Sequence, residues 1–179
     1  MSQSIVPLTM EEVNRLEPSA FVTHIGPVFE HSPWIAARVL DRRPFSGRDH
    51  LFSALQEVVG EAAEADRLDL LRAHPDLGGR LASRGLLTAD SLREQAAAGL
   101  AALTPGEADE LAELNAAYAG KFGFPFIICA RLSGRHAILR ALRERIGNGR
   151  AEEMAAALRE VGKIAALRLA ERLDEKRKE

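Results

Sequence analysis

Helix-forming residues dominate this chain, and that limits its fold more than any other feature. Its 179 residues include 30 Ala and 24 Leu, against 20 Val, Ile and Thr taken together. Ala and Leu lose little on entering a helix, whereas β-branched side chains suit the pleated surface of a sheet. Start signals recur along the chain. Thr9 with Glu12, and Thr104 with Glu107, have capping-box spacing, and Pro105 would stand at the first helical position, where its missing N–H costs nothing. Ser32 ahead of Pro33 and Trp34 reads as a further N-cap. These signals and the apolar periodicity predict helices over about 9–16, 32–40, 48–60, 64–73, 89–100, 104–120, 134–146 and 150–175. The expected fold is all-α: a single compact domain over 1–179, of about eight helices, with a long C-terminal helix and no internal repeat.

Composition narrows the function classes. With 46% hydrophobic and 28% charged residues, the chain can bury a core and is not of the disordered type. The net charge of −2 offers no basic excess, so neither nucleic acid nor an anionic membrane is the expected partner. A single cysteine, Cys129, allows no internal disulfide and no multi-cysteine metal site. No apolar run approaches the roughly 18 residues of a membrane span. The first residues, MSQSIVPLTMEEVNRLE, lack the basic and apolar regions of a signal peptide, and the last, RLDEKRKE, carry no targeting tripeptide. A cytoplasmic location is expected.

Three connections are more than linkers. HPDLGGRLASRG (74–85) joins two helices, and RVLDRRPFSGR (38–48) is basic and turn-like. FGFPFIICA (122–130) is apolar with Gly and Pro, and reads as a short strand or a buried extended loop.

His74 stands at the C-terminal end of a helix, because Pro75 disfavours helical backbone at the residue before it. The negative end of the helix dipole favours an imidazolium there, which suits a proton donor near neutral pH. The alternative is a histidine that only caps a helix carbonyl. The HPD tripeptide also resembles that of J-domain co-chaperones. Those have a basic helix upstream, whereas EVVGEAAEADRLDLLRA here is acidic.

In SLREQ, residues 91–95, a helix brings Ser91 close to Glu94 and Gln95 at i+3 and i+4. A hydroxyl, a carboxylate and a carboxamide on one side suit a small molecule rich in N–H and C=O groups. A solvated helix face is the competing reading.

Arg168 breaks the pattern of the terminal helix. At about 100° per residue from Val161, the residues Met154, Ala157, Leu158, Ile164 and Ala165 fall at about 20°, 320°, 60°, 300° and 40°, and Arg168 at about 340°. Glu152, Arg159 and Lys163 fall on the far side. An arginine inside an apolar stripe must snorkel, meet a buried carboxylate or hold a ligand anion. Its fork suits a carboxylate in either of the last two cases. Arg172 lies near the same stripe but close to the helix end, where it is expected to reach water.

In FGFPFIICA the apolar side chains either fill the core or pack while the peptide groups face a polar substrate. Cys129 within it reads as an inert buried thiol. His24, His31, His50 and His136 are scattered and give no metal-ligand spacing. No phosphate-cradling, dinucleotide-binding or serine-hydrolase motif is present.

Taken in order, SPWI at 32–35, HPDLGGRL, SLREQAAAGL, FGFPFIICARLSGR and VGKIAALRL resemble the OHCU decarboxylases, which act on 2-oxo-4-hydroxy-4-carboxy-5-ureidoimidazoline (OHCU) in urate breakdown. The likeness runs through almost the whole chain, and the first thirty residues match least. It implies an all-helical homodimer that converts OHCU to (S)-allantoin with no cofactor and no metal. It implies a catalytic role for His74, beside which Glu94 is expected to act by orienting the imidazole or by binding ureido N–H groups. Substrate contacts would come from Pro75, from Ser91, Leu92, Arg93, Glu94 and Gln95, from Phe126, Ile127, Ile128, Cys129 and Ala130, and from Arg168. Two other classes stay open on the residues alone: a chaperone-interacting module using His74–Asp76, and a non-catalytic helical ligand-binding protein.

Overall fold

Capping chemistry sets where the helices begin in the computed structural model, which describes residues 6–78 and 87–175. Thr9 and Glu12 form the reciprocal box that starts α1 (Met10–Arg15), with Glu12 Oε2 accepting from the Thr9 N–H at 2.7 Å. Thr104 and Glu107 do the same for α7 (Pro105–Phe122), with Pro105 in its first turn. The Thr104 N–H and hydroxyl hold the Glu107 carboxyl below the usual carboxylate range. The other helices are α2 (Pro18–Ile25), α3 (Trp34–Val39), α4 (Arg48–Glu61), α5 (Glu64–Arg72), α6 (Ala89–Ala97), α8 (Arg135–Arg145) and α9 (Arg150–Arg172). Short 3₁₀ turns cover Gly26–Val28, Leu40–Arg42, Leu100–Ala102 and Ala130–Leu132.

The fold is all-α. Nine α-helices lie among the described residues, and α9 is the long C-terminal helix. Each of the eight expected helices is present, with ends displaced by up to three residues. The additional one is α2: Pro18 stands at its first position, and Phe21 and Ile25, one turn apart, are fully buried. At α3 the N-cap expectation fails, because Pro33 occupies the cap position and Ser32 is buried, its carbonyl accepting from the Ile35 N–H. Residues 79–85 of the 74–85 connection lie outside the described residues. The 122–130 segment forms no strand.

The chain divides into two compact units, Met1–Leu70 with Gly162–Glu179, and Leu71–Val161. The first has a core that includes Val13, Phe21, Ile25, Ile35, Val39, Leu51, Leu55, Ala165 and Leu169, all fully buried. Its ends meet: Leu8 donates to the Arg172 carbonyl and accepts from the Asp174 N–H, an isolated parallel bridge. The basic 38–48 connection is neutralised locally. Arg42 reaches Glu57 and Glu61, one turn apart on α4, each at 2.8 Å. Arg43 donates to the Leu16 carbonyl at 2.7 Å.

The second unit is organised around aromatic rings and one buried carboxylate. Tyr118 packs against Phe122, Phe124 and Phe126 with ring centroids 4.6, 5.9 and 5.3 Å away. Its hydroxyl donates to Glu153, which is fully buried. Glu153 also accepts from Arg145 Nε at 2.9 Å and Asn148 Nδ2 at 2.7 Å. These donors offset what ionisation of a buried carboxylate would otherwise cost. Burial, and then the bond to Glu153, push the Tyr118 phenol far above its ordinary range.

Candidate active site

α5 ends at Arg72, and the chain turns through Ala73–Gly78. His74 sits in that turn, buried, with its N–H donating to the Leu71 carbonyl at 3.2 Å. The expected place at a helix C-terminus is therefore the observed one. Pro75 beside it is half-buried. Gly78 closes the turn at φ +63, where an L side chain is strained, and an added Cβ would lie 2.9 Å from Leu111 Cδ2. The backbone conformation thus favours glycine here, and a larger residue would also have to displace the Leu111 methyl on α7.

Helix α6 carries the SLREQ stretch. Thr88 caps it, its hydroxyl accepting from the Ser91 N–H at 3.2 Å. Ser91 and Gln95 are buried and Glu94 is half-buried. Leu92 and Arg93 are exposed, and Arg93 pairs with Asp90 one turn back. The helix therefore separates the three polar groups from its solvent side. Gln95 has a definite local task. Its Oε1 accepts from the Gly78 N–H at 3.0 Å, and its Nε2 donates to the Asp76 carbonyl at 3.2 Å. One carboxamide thus grips both sides of the turn that follows His74.

The third stretch is an irregular buried loop. Phe126, Ile127, Cys129 and Ala130 are buried and Ile128 is half-buried. Arg145 donates to the Ile127 carbonyl at 2.8 Å and stacks over the Phe126 ring, 4.6 Å from its centroid. Glu160 accepts from the Cys129 N–H at 2.8 Å. The Cys129 and Ala130 carbonyls accept from Leu132 and Ser133. The Ile128 N–H and C=O have no such partner among the described residues, so this loop can offer a donor and an acceptor to a polar ligand. Helix α6 packs against the following 3₁₀ turn Ala130–Leu132. Three of the four stretches singled out in the sequence, around His74, Ser91–Gln95 and Phe126–Ala130, are therefore linked within the second unit.

The fourth, Arg168, belongs to the first unit. It is buried, as its place in the apolar stripe requires, and its Nη1 donates to Glu30 Oε2 at 2.7 Å. Arg172 departs from expectation: it is buried rather than solvated, and its Nη1 donates to the His24 carbonyl at 3.1 Å. Held between α2 and its own helix end, its charge is used inside the unit rather than in water.

Sequence reasoning missed the residues that tie these stretches down: Asn115, Arg145, Glu153 and Glu160 in the second unit, and Glu30 beside Arg168 in the first. Only Asn115 gave a signal, a poor helix former in the middle of an Ala-rich helix. Among the described residues no group of three His, Cys, Asp or Glu side chains is placed to hold a metal ion.

The chain is similar to known proteins over most of its length. The profile of a family described as OHCU decarboxylase matches residues 14–170. The 2-oxo-4-hydroxy-4-carboxy-5-ureidoimidazoline decarboxylase of Halalkalicoccus jeotgali is 43% identical over 92% of this chain and 91% of its own length. A putative enzyme of the same name from Homo sapiens is 43% identical over 93% of this chain and 96% of its own. A solved OHCU decarboxylase, crystallised in the presence of (S)-allantoin, superposes with a TM-score of 0.65 at 28% identity, covering 87% of this chain and 96% of that one. A solved (S)-allantoin synthase superposes with a TM-score of 0.78 at 27% identity over 94% of this chain, which spans about half (54%) of that longer one. Fold and matches together define an all-helical carboxy-lyase. Within that class, the chain belongs to the OHCU decarboxylase family.

Proposed function

We propose that this chain decarboxylates OHCU to (S)-allantoin, without a cofactor, as one catalytic domain over its whole length. The observation that carries the reading is the linkage of the buried His74, the polar side of Ser91–Gln95 and the 126–130 loop within one unit, inside the stretch that the family profile matches. The substrate explains why such modest groups suffice. Its carboxylate sits on a carbon next to a C=N bond. As the bond to CO2 breaks, the electron pair forms a carbon–carbon double bond and the C=N electrons move onto nitrogen, which takes a proton. A proton then adds to the former imine carbon while the 4-hydroxyl gives one up and becomes a carbonyl. The substrate is its own electron sink, so the protein need only position it and manage protons.

In this reading His74 delivers the proton to carbon, and delivery from one face gives a single enantiomer. Glu94 orients His74 or binds ureido N–H groups. Pro75, Ser91 and Gln95 contact the ring and ureido group, with Leu92 and Arg93 flanking them on α6. The backbone of Phe126, Ile127, Ile128, Cys129 and Ala130 meets the substrate through the open polar groups of Ile128. For Arg168, whose Nη1 donates to Glu30, the family resemblance implies a role toward a substrate anion.

The near-balanced charge, −2, supports a small-molecule substrate rather than nucleic acid. No helix among the described residues is long and apolar enough to cross a membrane. We place the enzyme in the cytoplasm as a homodimer. The direct test generates the unstable substrate in place from urate and follows its loss by circular dichroism. Acceleration over the spontaneous reaction, with (S)-allantoin in excess, is expected. A rate equal to the background rejects the reading.

A further inference from the structure

The turn carrying His74 is held by a second carboxamide besides Gln95. Asn115, on α7, donates through Nδ2 to the Leu77 carbonyl at 3.0 Å. Three successive backbone groups are thereby tied to side chains from two helices: the Asp76 and Leu77 carbonyls and the Gly78 N–H. One turn earlier on α7, Leu111 closes against Gly78. The turn therefore has little freedom to carry the imidazole elsewhere.

Asn115 is a poor choice for stability. Asparagine is among the weaker helix formers, and this one sits in the middle of an 18-residue helix. Its Oδ1 is buried and accepts no hydrogen bond among the described residues. A buried acceptor without a donor offsets much of what the Nδ2 bond contributes. Leucine at this position would lose that bond but also remove the orphan oxygen. What the amide supplies, and leucine does not, is a fixed direction for the Leu77 carbonyl three residues after His74.

We propose that Asn115 is a positioning residue, holding the His74 imidazole in place through the Leu77 carbonyl; this rests on the reading of His74 as the proton donor. Misplacement of a catalytic group by about 1 Å costs on the order of 10²-fold in rate. Asn115→Leu should therefore fold, lose about 10²-fold in kcat and leave KM within a few-fold. The His74 ring resonances and their pH titration, followed by nuclear magnetic resonance, should move. If Asn115→Leu fails to fold, Asn115→Asp keeps the size, replaces the donor by an acceptor facing a carbonyl, and is read in the same way. A folded variant with the parent kcat overturns the proposal. So does a slow variant whose His74 titration is unmoved. His74→Asn separates the two claims. Parent turnover in that variant removes His74 from the mechanism, while the ring resonances of the Asn115 variants, which keep His74, still report whether Asn115 holds it.

Discussion

Arg168 and Glu30 form an ion pair in which both side chains are almost fully buried, with Nη1 and Oε2 2.7 Å apart. The sequence left three fates open for this arginine, and the structure shows one partner directly. A buried pair is costly to make and costlier to break, because either charge left alone has no water to turn to.

Arg168→Met should therefore destabilise the protein by about 3–5 kcal/mol, since it takes the guanidinium away from the buried Glu30 carboxylate. Glu30→Met combined with Arg168→Met should recover most of that loss in thermal melts. The double variant also isolates the substrate role. Its KM should rise sharply if Arg168 meets the substrate anion, and a KM equal to the parent's removes Arg168 from the site.

His74→Asn should keep the fold and lose about 10²–10⁴-fold in turnover, because an amide hydrogen-bonds but does not deliver a proton as an acid. Far-ultraviolet circular dichroism checks the fold and the in-place urate assay checks the rate. Turnover within a few-fold of the parent in the folded variant would contradict the role given to His74.

Glu94→Gln separates charge from shape, since the side chains are nearly isosteric and differ little in helix propensity. Glu94 is half-buried on the polar side of α6. Turnover should fall and the pH–rate profile should shift if the carboxylate acts on His74. An unchanged rate and profile would reduce Glu94 to a structural residue.

Tyr118 is the chain's single tyrosine, so its titration can be read without overlap. Burial and the bond to Glu153 keep the phenol protonated far above its ordinary pKa of about 10. Above that pH the folded state holds a proton that the unfolded chain gives up. The stabilisation is thus complete below about pH 10 and is lost as pH rises further. The tyrosinate absorption band should appear only together with alkaline unfolding, and Tyr118→Phe should abolish it. A band that grows while the fold is intact would show that burial and Glu153 do not hold the proton on the phenol.

Sequence alone determined the helical class and most of the helix starts, because propensity and capping are local and use residues three or four apart. Thr9 with Glu12 and Thr104 with Glu107 form the boxes their spacing predicts. It also marked His74, Ser91–Gln95 and Arg168, since a proline after a helix, a polar cluster at helical spacing and a charge in an apolar stripe are all visible along one chain. Tertiary structure decided what those groups touch. Gln95 closes on Asp76 and Gly78, 19 and 17 residues away, and Arg168 meets Glu30, 138 residues away. No periodicity encodes such pairs, because a buried polar group takes whichever partner the packing brings within reach, and its sequence distance from that partner has no energetic weight once the chain is folded.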